Sequence, residues 1–331
     1  MIKFTRLALA TALLLGSGSA MAGAIITSGD VKVGVNDLGN LNIGGGVADV
    51  AGTTLVGVRY LTGGLEYEST SHGCECEGWG VGIADTMQSG YANDAMGTAG
   101  LSLVSFASTA TTATSVTSMA DLKITHAFAP AAETSKLYRV VVTIENTGAN
   151  NYNDIRYRRT FDWDTSPTPF SEYVTIGGTA AATAVLGASN DGFCSSNPFA
   201  PLTCGYTTPI TGDFVAAGPE DHGANFDFGF GALAAGESFS FEIFYGAADN
   251  KSQAISALAA VEAEVYSLGW SSLDANQDGF GDADGRITPT FIFGFAKVGG
   301  DIIIDPEVPV PATIGLFGLA LLGLGLRRRA K

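Results

Sequence analysis

Apolar and polar residues alternate with period two in short runs along most of this chain. Val31-Lys32-Val33-Gly34-Val35 does so, as do residues 136–145 (KLYRVVVTIE), 226–230 (FDFGF), 239–245 (FSFEIFY) and 291–295 (FIFGF). Successive side chains of a strand point to opposite faces, so this pattern puts one face in a core and the other in water. Turn formers such as Asn146-Thr147-Gly148, Asn151-Tyr152-Asn153-Asp154 and Gly236-Glu237 punctuate the runs, at the roughly 8–12-residue spacing of all-β folds. Residues 102–118, rich in Ser, Thr and Ala, read as a further pair of strands. The pattern predicts one mainly β domain over residues 23–300, a large antiparallel β-sandwich. One segment departs from it. Residues 251–268 carry apolar side chains at 255, 258, 261, 265 and 268, the spacing of an amphipathic helix. Asp249 or Asn250 can cap its start and Gly269 its end, so a helix is expected over about 250–268, lying on a sheet.

The two ends follow other rules. Lys3 and Arg6 precede the apolar run 7–15 (LALATALLL), and Ala20-Met21-Ala22 offers a small-x-small cleavage site. That order predicts a secretory signal peptide over residues 1–22. Residues 301–311 form a proline-marked linker ending in Val308-Pro309-Val310-Pro311. Residues 312–326 (ATIGLFGLALLGLGL) are a short apolar helix candidate, closed by Arg327-Arg328-Arg329 within the final segment 312–331. Fifteen apolar residues barely span a membrane, which takes about 20. Arginines after such a helix stay on the cytoplasmic side.

This tail resembles the PEP-CTERM sorting signal of exported Gram-negative proteins, with Val310 where the family usually has Glu. The resemblance implies several partners and steps. They are export through the Sec translocon and signal peptidase, transient insertion in the inner membrane and cleavage near the Pro-x-Pro by an exosortase. Delivery to the cell surface or extracellular matrix of an exopolysaccharide-producing cell follows.

Charge changes the picture at this point. The whole chain of 331 residues carries −16, but six of its 17 basic residues lie in the two end segments. The other 11 face all 33 acids, so the span between the ends carries −22. A body this acidic does not hold a phosphate backbone by counterion release, which argues against nucleic-acid binding.

Candidate chemistry is sparse. Asp274, Asn276, Asp278, Phe280 (through its carbonyl) and Asp282 occupy positions 1, 3, 5, 7 and 9 of a loop with Gly279 at position 6. Oxygens so spaced around a tight turn suit Ca2+. The loop resembles those of EF-hands, dockerins and thrombospondin type-3 repeats, except that Gly285 stands at position 12, where Asp284 could substitute. The flanks do not read as paired helices, and a solvated acidic turn is the competing reading. Behind a signal peptide the four cysteines are free to form disulfides. Cys194 and Cys204 bracket a Pro-containing loop and form the favoured pair. Cys74 and Cys76, one residue apart, are within reach of a bridge. A metal site there, with His72 nearby, lacks a fourth ligand.

Residues 156–164 (RYRRTFDWD) place Arg156, Arg158, Thr160, Asp162 and Asp164 on one strand face and Tyr157 and Trp163 on the other. The charged row reads as a ladder of ion pairs. Alternatively, Tyr157, Asp162, Trp163 and Asp164 contact a glycan. No nucleophile elbow, zinc-protease helix or phosphate loop occurs. Two-carboxylate glycan chemistry has no local spacing rule, and Asp162/Asp164 or Glu66/Glu68 would be its first candidates. The expectation is a non-enzymatic surface or matrix protein. The alternative is a secreted polysaccharide-binding or polysaccharide-active protein with a mutarotase-like sandwich.

Overall fold

The computed structural model describes residues 23–206 and 208–304. The expected signal peptide (1–22), the 308–311 motif and the 312–331 tail lie outside the described residues. The chain begins with β1 (Gly23–Ser28), β2 (Val31–Asn36), β3 (Val58–Thr62), β4 (Leu65–Glu68), β5 (Gly78–Ile83) and β6 (Gln88–Asn93). Next come β7 (Ser102–Ser108), β8 (Ala113–Met119), β9 (Leu122–Pro130), β10 (Leu137–Asn146), β11 (Ile155–Trp163) and β12 (Glu172–Gly177). It closes with β13 (Val185–Ser189), β14 (Phe214–Glu220), β15 (His222–Gly229), β16 (Ser238–Ala248), α1 (Lys251–Ala260), β17 (Val265–Ser271) and β18 (Thr290–Ala296).

Three antiparallel sheets result. They run β1-β2-β3-β4, β14-β12-β17-β18-β16-β10-β9-β8-β7 and β13-β15-β11-β5-β6. The nine-stranded sheet packs face to face on the other two, as the alternating pattern predicts. Tyr157 of β11 meets Phe241 of β16 at a ring-centroid distance of 4.9 Å. Phe161 meets Phe293 of β18 at 5.1 Å, and Phe226 of β15 meets Phe295 at 5.0 Å. Val31, Val33, Val35 and Tyr60 bring the four-stranded sheet into the same core. Strand β10 keeps the simple alternation, with Val140, Val142 and Ile144 buried and Val141, Thr143 and Glu145 partly exposed. Residues 102–118 form the hairpin β7–β8, as composition suggests.

Two expectations need correction. Strand β18 is buried on both faces. Phe291, Phe293 and Phe295 enter the inter-sheet core, while Ile292 and Ala296 join a second cluster with Leu258 and Ala254 of α1. A helix therefore covers what alternation assigned to water. Gly294 makes room for it, since a Cβ there would lie 2.8 Å from Leu258.

The helix itself is shorter than its periodicity suggests. The side chain of Asn250 accepts from Gln253 N, and α1 ends at Ala260. Glu262 adopts φ 55°, which a helix does not tolerate. Val265 and Leu268 then belong to β17 and face opposite clusters. They match a helical spacing because an interior strand with both faces covered is apolar at odd and even positions alike.

Candidate functional site

Strand β11 organises one end of the sandwich. Its odd-numbered residues point into the core. Tyr157 and Trp163 are fully buried there, and the Trp163 indole donates to Ser267 Oγ at 3.0 Å. Neither ring offers a face to a sugar, so the stacking surface suggested by the glycan reading does not exist. The even-numbered residues face outward but are roofed over. Glycines at 78, 80 and 82 of β5 leave that face flat enough for the 194–204 loop to lie on it. A Cβ on Gly82 would come within 2.6 Å of the Phe199 ring. Alternate glycines in a strand signal such close approach, a cue readable in the GWGVGI run.

The ion-pair row also forms differently from the expected ladder. Residues two apart on one strand are separated by about 6.6 Å, whereas cross-strand neighbours approach to about 5 Å. Arg158 accordingly pairs across the sheet with Asp227, its Nε 2.6 Å from Oδ1 and its Nη2 2.7 Å from Oδ2. Its remaining N–H groups donate to the carbonyls of Ser195, Ala200 and Pro201 and so hold the loop down. Arg156 pairs with Asp154. No basic side chain reaches Asp162 or Asp164 among the described residues.

Both cysteine pairs are bridged. Cys74–Cys76 has a Cα separation of 5.2 Å and Cys194–Cys204 one of 5.5 Å. The bridge consumes the sulfurs that a Cys74/Cys76 metal site would have needed. Cys74 Sγ lies 3.2 Å from Asp162 Oδ2. Asp191, beside the second bridge, accepts from the N–H groups of Cys204, Gly205 and Tyr206. Gly192 packs against Asp162 and Gly223, where a Cβ would approach both Cα atoms to 2.9 Å.

An acidic cluster sits where these parts meet. Carboxylate oxygens of Asp162, Asp164 and Asp221 lie within 4.8 Å of one another. Asp162 and Asp164 are buried, while Asp221, in the turn between β14 and β15, reaches solvent. Glu172, the first residue of β12, is also wholly buried. Its Oε1 accepts from His222 N at 3.1 Å. Burial and then the Asp162 charge push Asp164 up to about 10, with Asp221 and Glu68 adding to this and the Phe170 N–H opposing it weakly. Burial pushes Glu172 up to about 11, helped by Asp164, Asp162 and Asp221 against the His222 N–H. Burial, Asp221 and Asp191 hold Asp162 far above the usual carboxylate range. His222 gives no compensating charge, because burial pushes it down to about 4. Its Nε2 lies 3.2 Å from the Glu172 carbonyl and its Nδ1 3.2 Å from the Asn190 amide, so both ring nitrogens are engaged.

Reading the sequence found Asp162 and Asp164 but not Glu172 or Asp221. Each of those is a lone acid with no spacing signature, and chain crossings bring them in.

The 274–284 loop joins β17 to β18. Asp274 Oδ1 accepts from Asp278 N, and its Oδ2 from Gly279 N and Thr288 Oγ1. Asn276 Oδ1 accepts from Asp278 N, Asp278 Oδ1 from Phe280 N and Asp282 Oδ2 from Ala275 N. Asp284 binds Arg286 N. Gly279, at φ 100°, makes the tight turn and lies against the Asp249 carbonyl beside the start of α1. The acids thus shape the loop through its own backbone.

Residues 307–329 match the family model of the PEP-CTERM protein-sorting motif. The match takes in the 308–311 motif, the apolar stretch and all three terminal arginines. No family is found for the central β region, and no curated protein matches the chain.

Proposed function

We propose that the PEP-CTERM motif makes this chain the substrate of an exosortase-type processing enzyme, and that the β-sandwich is a non-enzymatic cell-surface or matrix domain. The match at residues 307–329 carries the reading. In this account the Sec translocon and signal peptidase export the chain and remove residues 1–22. The apolar stretch 312–326 then rests transiently in the inner membrane with its arginines on the cytoplasmic side. Cleavage near residues 308–311 releases the acidic body to the surface of an exopolysaccharide-producing cell, with exopolysaccharide as its surroundings.

Other features support an extracellular role. Both cysteine pairs are bridged, which suits an oxidising compartment. Among the described residues no helix is long and apolar enough to cross a membrane. Asp274, Asn276, Asp278, Phe280, Asp282 and Asp284 would hold Ca2+ at the weak affinity of extracellular modules, about 10⁻⁴–10⁻³ M. The polysaccharide reading loses its aromatic platform with Tyr157 and Trp163 buried.

Mass spectrometry of surface-released protein tests the proposal. A mature C-terminus near residue 311 is expected. An intact Arg327-Arg328-Arg329 end on released protein would overturn it.

A further inference from the structure

We propose that Asp162, Asp164 and Asp221 form a binding site for a hard divalent cation, Ca2+ in preference to Mg2+, separate from the 274–284 loop. Convergence is the first argument. Two oxygens on opposite sides of one calcium ion are about 4.6–5.2 Å apart, twice the usual bond length. Oxygens of Asp162, Asp164 and Asp221 fall within 4.8 Å of one another.

The second argument is unmet bonding capacity. Asp162 Oδ1, both carboxylate oxygens of Asp164 and Glu172 Oε2 are buried without a hydrogen-bond partner. Glu172 accepts from the backbone of His222, the residue after Asp221, and stands outside the converging group. Native interiors rarely leave such atoms unpaired, and several in one place call for a ligand.

The rest of the molecule supplies a comparison. Elsewhere buried carboxylates find their partners inside the chain. Glu68 has Arg59 and Glu77 has Arg159, while Asp191 and Asp274 each accept at least three hydrogen bonds. Desolvation demands one or the other. Among the described residues the acids at this end of the sandwich have no arginine or lysine, so a counter-charge that lets them ionise comes from outside the chain.

The donor set selects the ion. It is all oxygen, the neighbouring cysteines are bridged, and both His222 nitrogens are engaged. That excludes the nitrogen and sulfur ligation favoured by zinc. Buried carboxylates from separate segments, free to bind through one oxygen or two, suit the irregular shell of Ca2+ better than the strict octahedron of Mg2+. Exposed Asp221 provides the way in.

The position gives the ion a task. Asp162 lies near the end of β11 in the five-stranded sheet and Asp164 just beyond it, and Glu172 begins β12 in the nine-stranded sheet. Asp221 lies where the chain passes from β14 in one sheet to β15 in the other. A bound cation would tie the two layers together at both crossings.

Calorimetric titration of the chelator-stripped, full-length protein with CaCl2 tests this. Saturable uptake is expected in the wild type and in Asp278→Asn/Asp282→Asn. Asp164→Asn should weaken that event by about tenfold or more. MgCl2 should bind more weakly than CaCl2. Absence of uptake at millimolar Ca2+, unchanged affinity in Asp164→Asn, or loss of all uptake in Asp278→Asn/Asp282→Asn would each overturn the site. If circular dichroism finds the buried variant unfolded, Asp221→Asn decides alone. This substitution of an exposed acid must weaken the same event severalfold, and an unchanged titration would reject the proposal.

Discussion

Arg159 Nε donates to Glu77 Oε1 at 2.5 Å, and both side chains are fully buried beneath the four- and five-stranded sheets. Two further donors complete the carboxylate, Leu41 N at 2.7 Å and Tyr245 Oη at 3.2 Å. The Gly39 carbonyl accepts from Nη1 and Nη2 of the guanidinium, each at 3.3 Å. Removing one partner would strand the other charge. Glu77→Gln should cost about 3–5 kcal/mol in urea unfolding. A loss below about 1 kcal/mol, the range of exposed pairs, would contradict this account.

His126 should make the fold acid-sensitive. Its ring is wholly buried, 4.3 Å from Trp79, with Nε2 3.0 Å from Tyr157 Oη. Burial, and then the Arg159 charge, hold its pKa well below 6.5. In the unfolded chain the ring takes up a proton near pH 6.5, while in the fold it does not. The stability it contributes is therefore present above that pH and lost as pH falls below it. The gap in melting temperature between wild type and His126→Gln should narrow from neutral pH toward pH ~5. A constant gap would show that His126 does not titrate in this way.

Opening the Cys194–Cys204 bridge should loosen a loop more than it unfolds the domain. Arg158 still grips the Ser195, Ala200 and Pro201 carbonyls. Cys194→Ser/Cys204→Ser is expected to lower stability by about 2–3 kcal/mol, the scale for a short closed loop. It should also admit proteases between residues 195 and 203. A thermal melt unchanged by the double substitution would count against this.

Asp274 separates the structural from the ligand-binding role of its loop. Its carboxylate is buried and accepts three hydrogen bonds from within the loop. Asp274→Ala should cost about 2–3 kcal/mol even in EDTA, because buried donors lose their acceptor. Asp284→Asn should change stability by less than about 1 kcal/mol in EDTA, since its Arg286 partner is exposed. If Asp274→Ala destabilises only in calcium, the backbone role assigned to it is wrong.

Local chemistry made much of the molecule readable from the chain alone. Period-two runs located β2, β10, β15, β16 and β18, because alternation follows directly from strand geometry. Asp249 and Asn250 mark the helix start in the sequence, because a cap is formed by residues three apart, and the structure uses Asn250. The tail was readable for the same reason, since its proline motif, apolar stretch and arginines are contiguous.

The tertiary structure decided what depends on distant neighbours. It put α1 on the outer face of β18, ended the helix at Ala260 and turned Val265 and Leu268 into strand residues. It sent Arg158 across the sheet to Asp227 and left Asp162 and Asp164 without a cation of their own. It also brought Glu172 and Asp221 to them from two crossings between sheets. A residue's type and spacing state which face it takes and which bonds it can make. Whether that face meets water, a ring or another charge depends on segments far along the chain, and desolvation there sets the energy of every acid in the cluster.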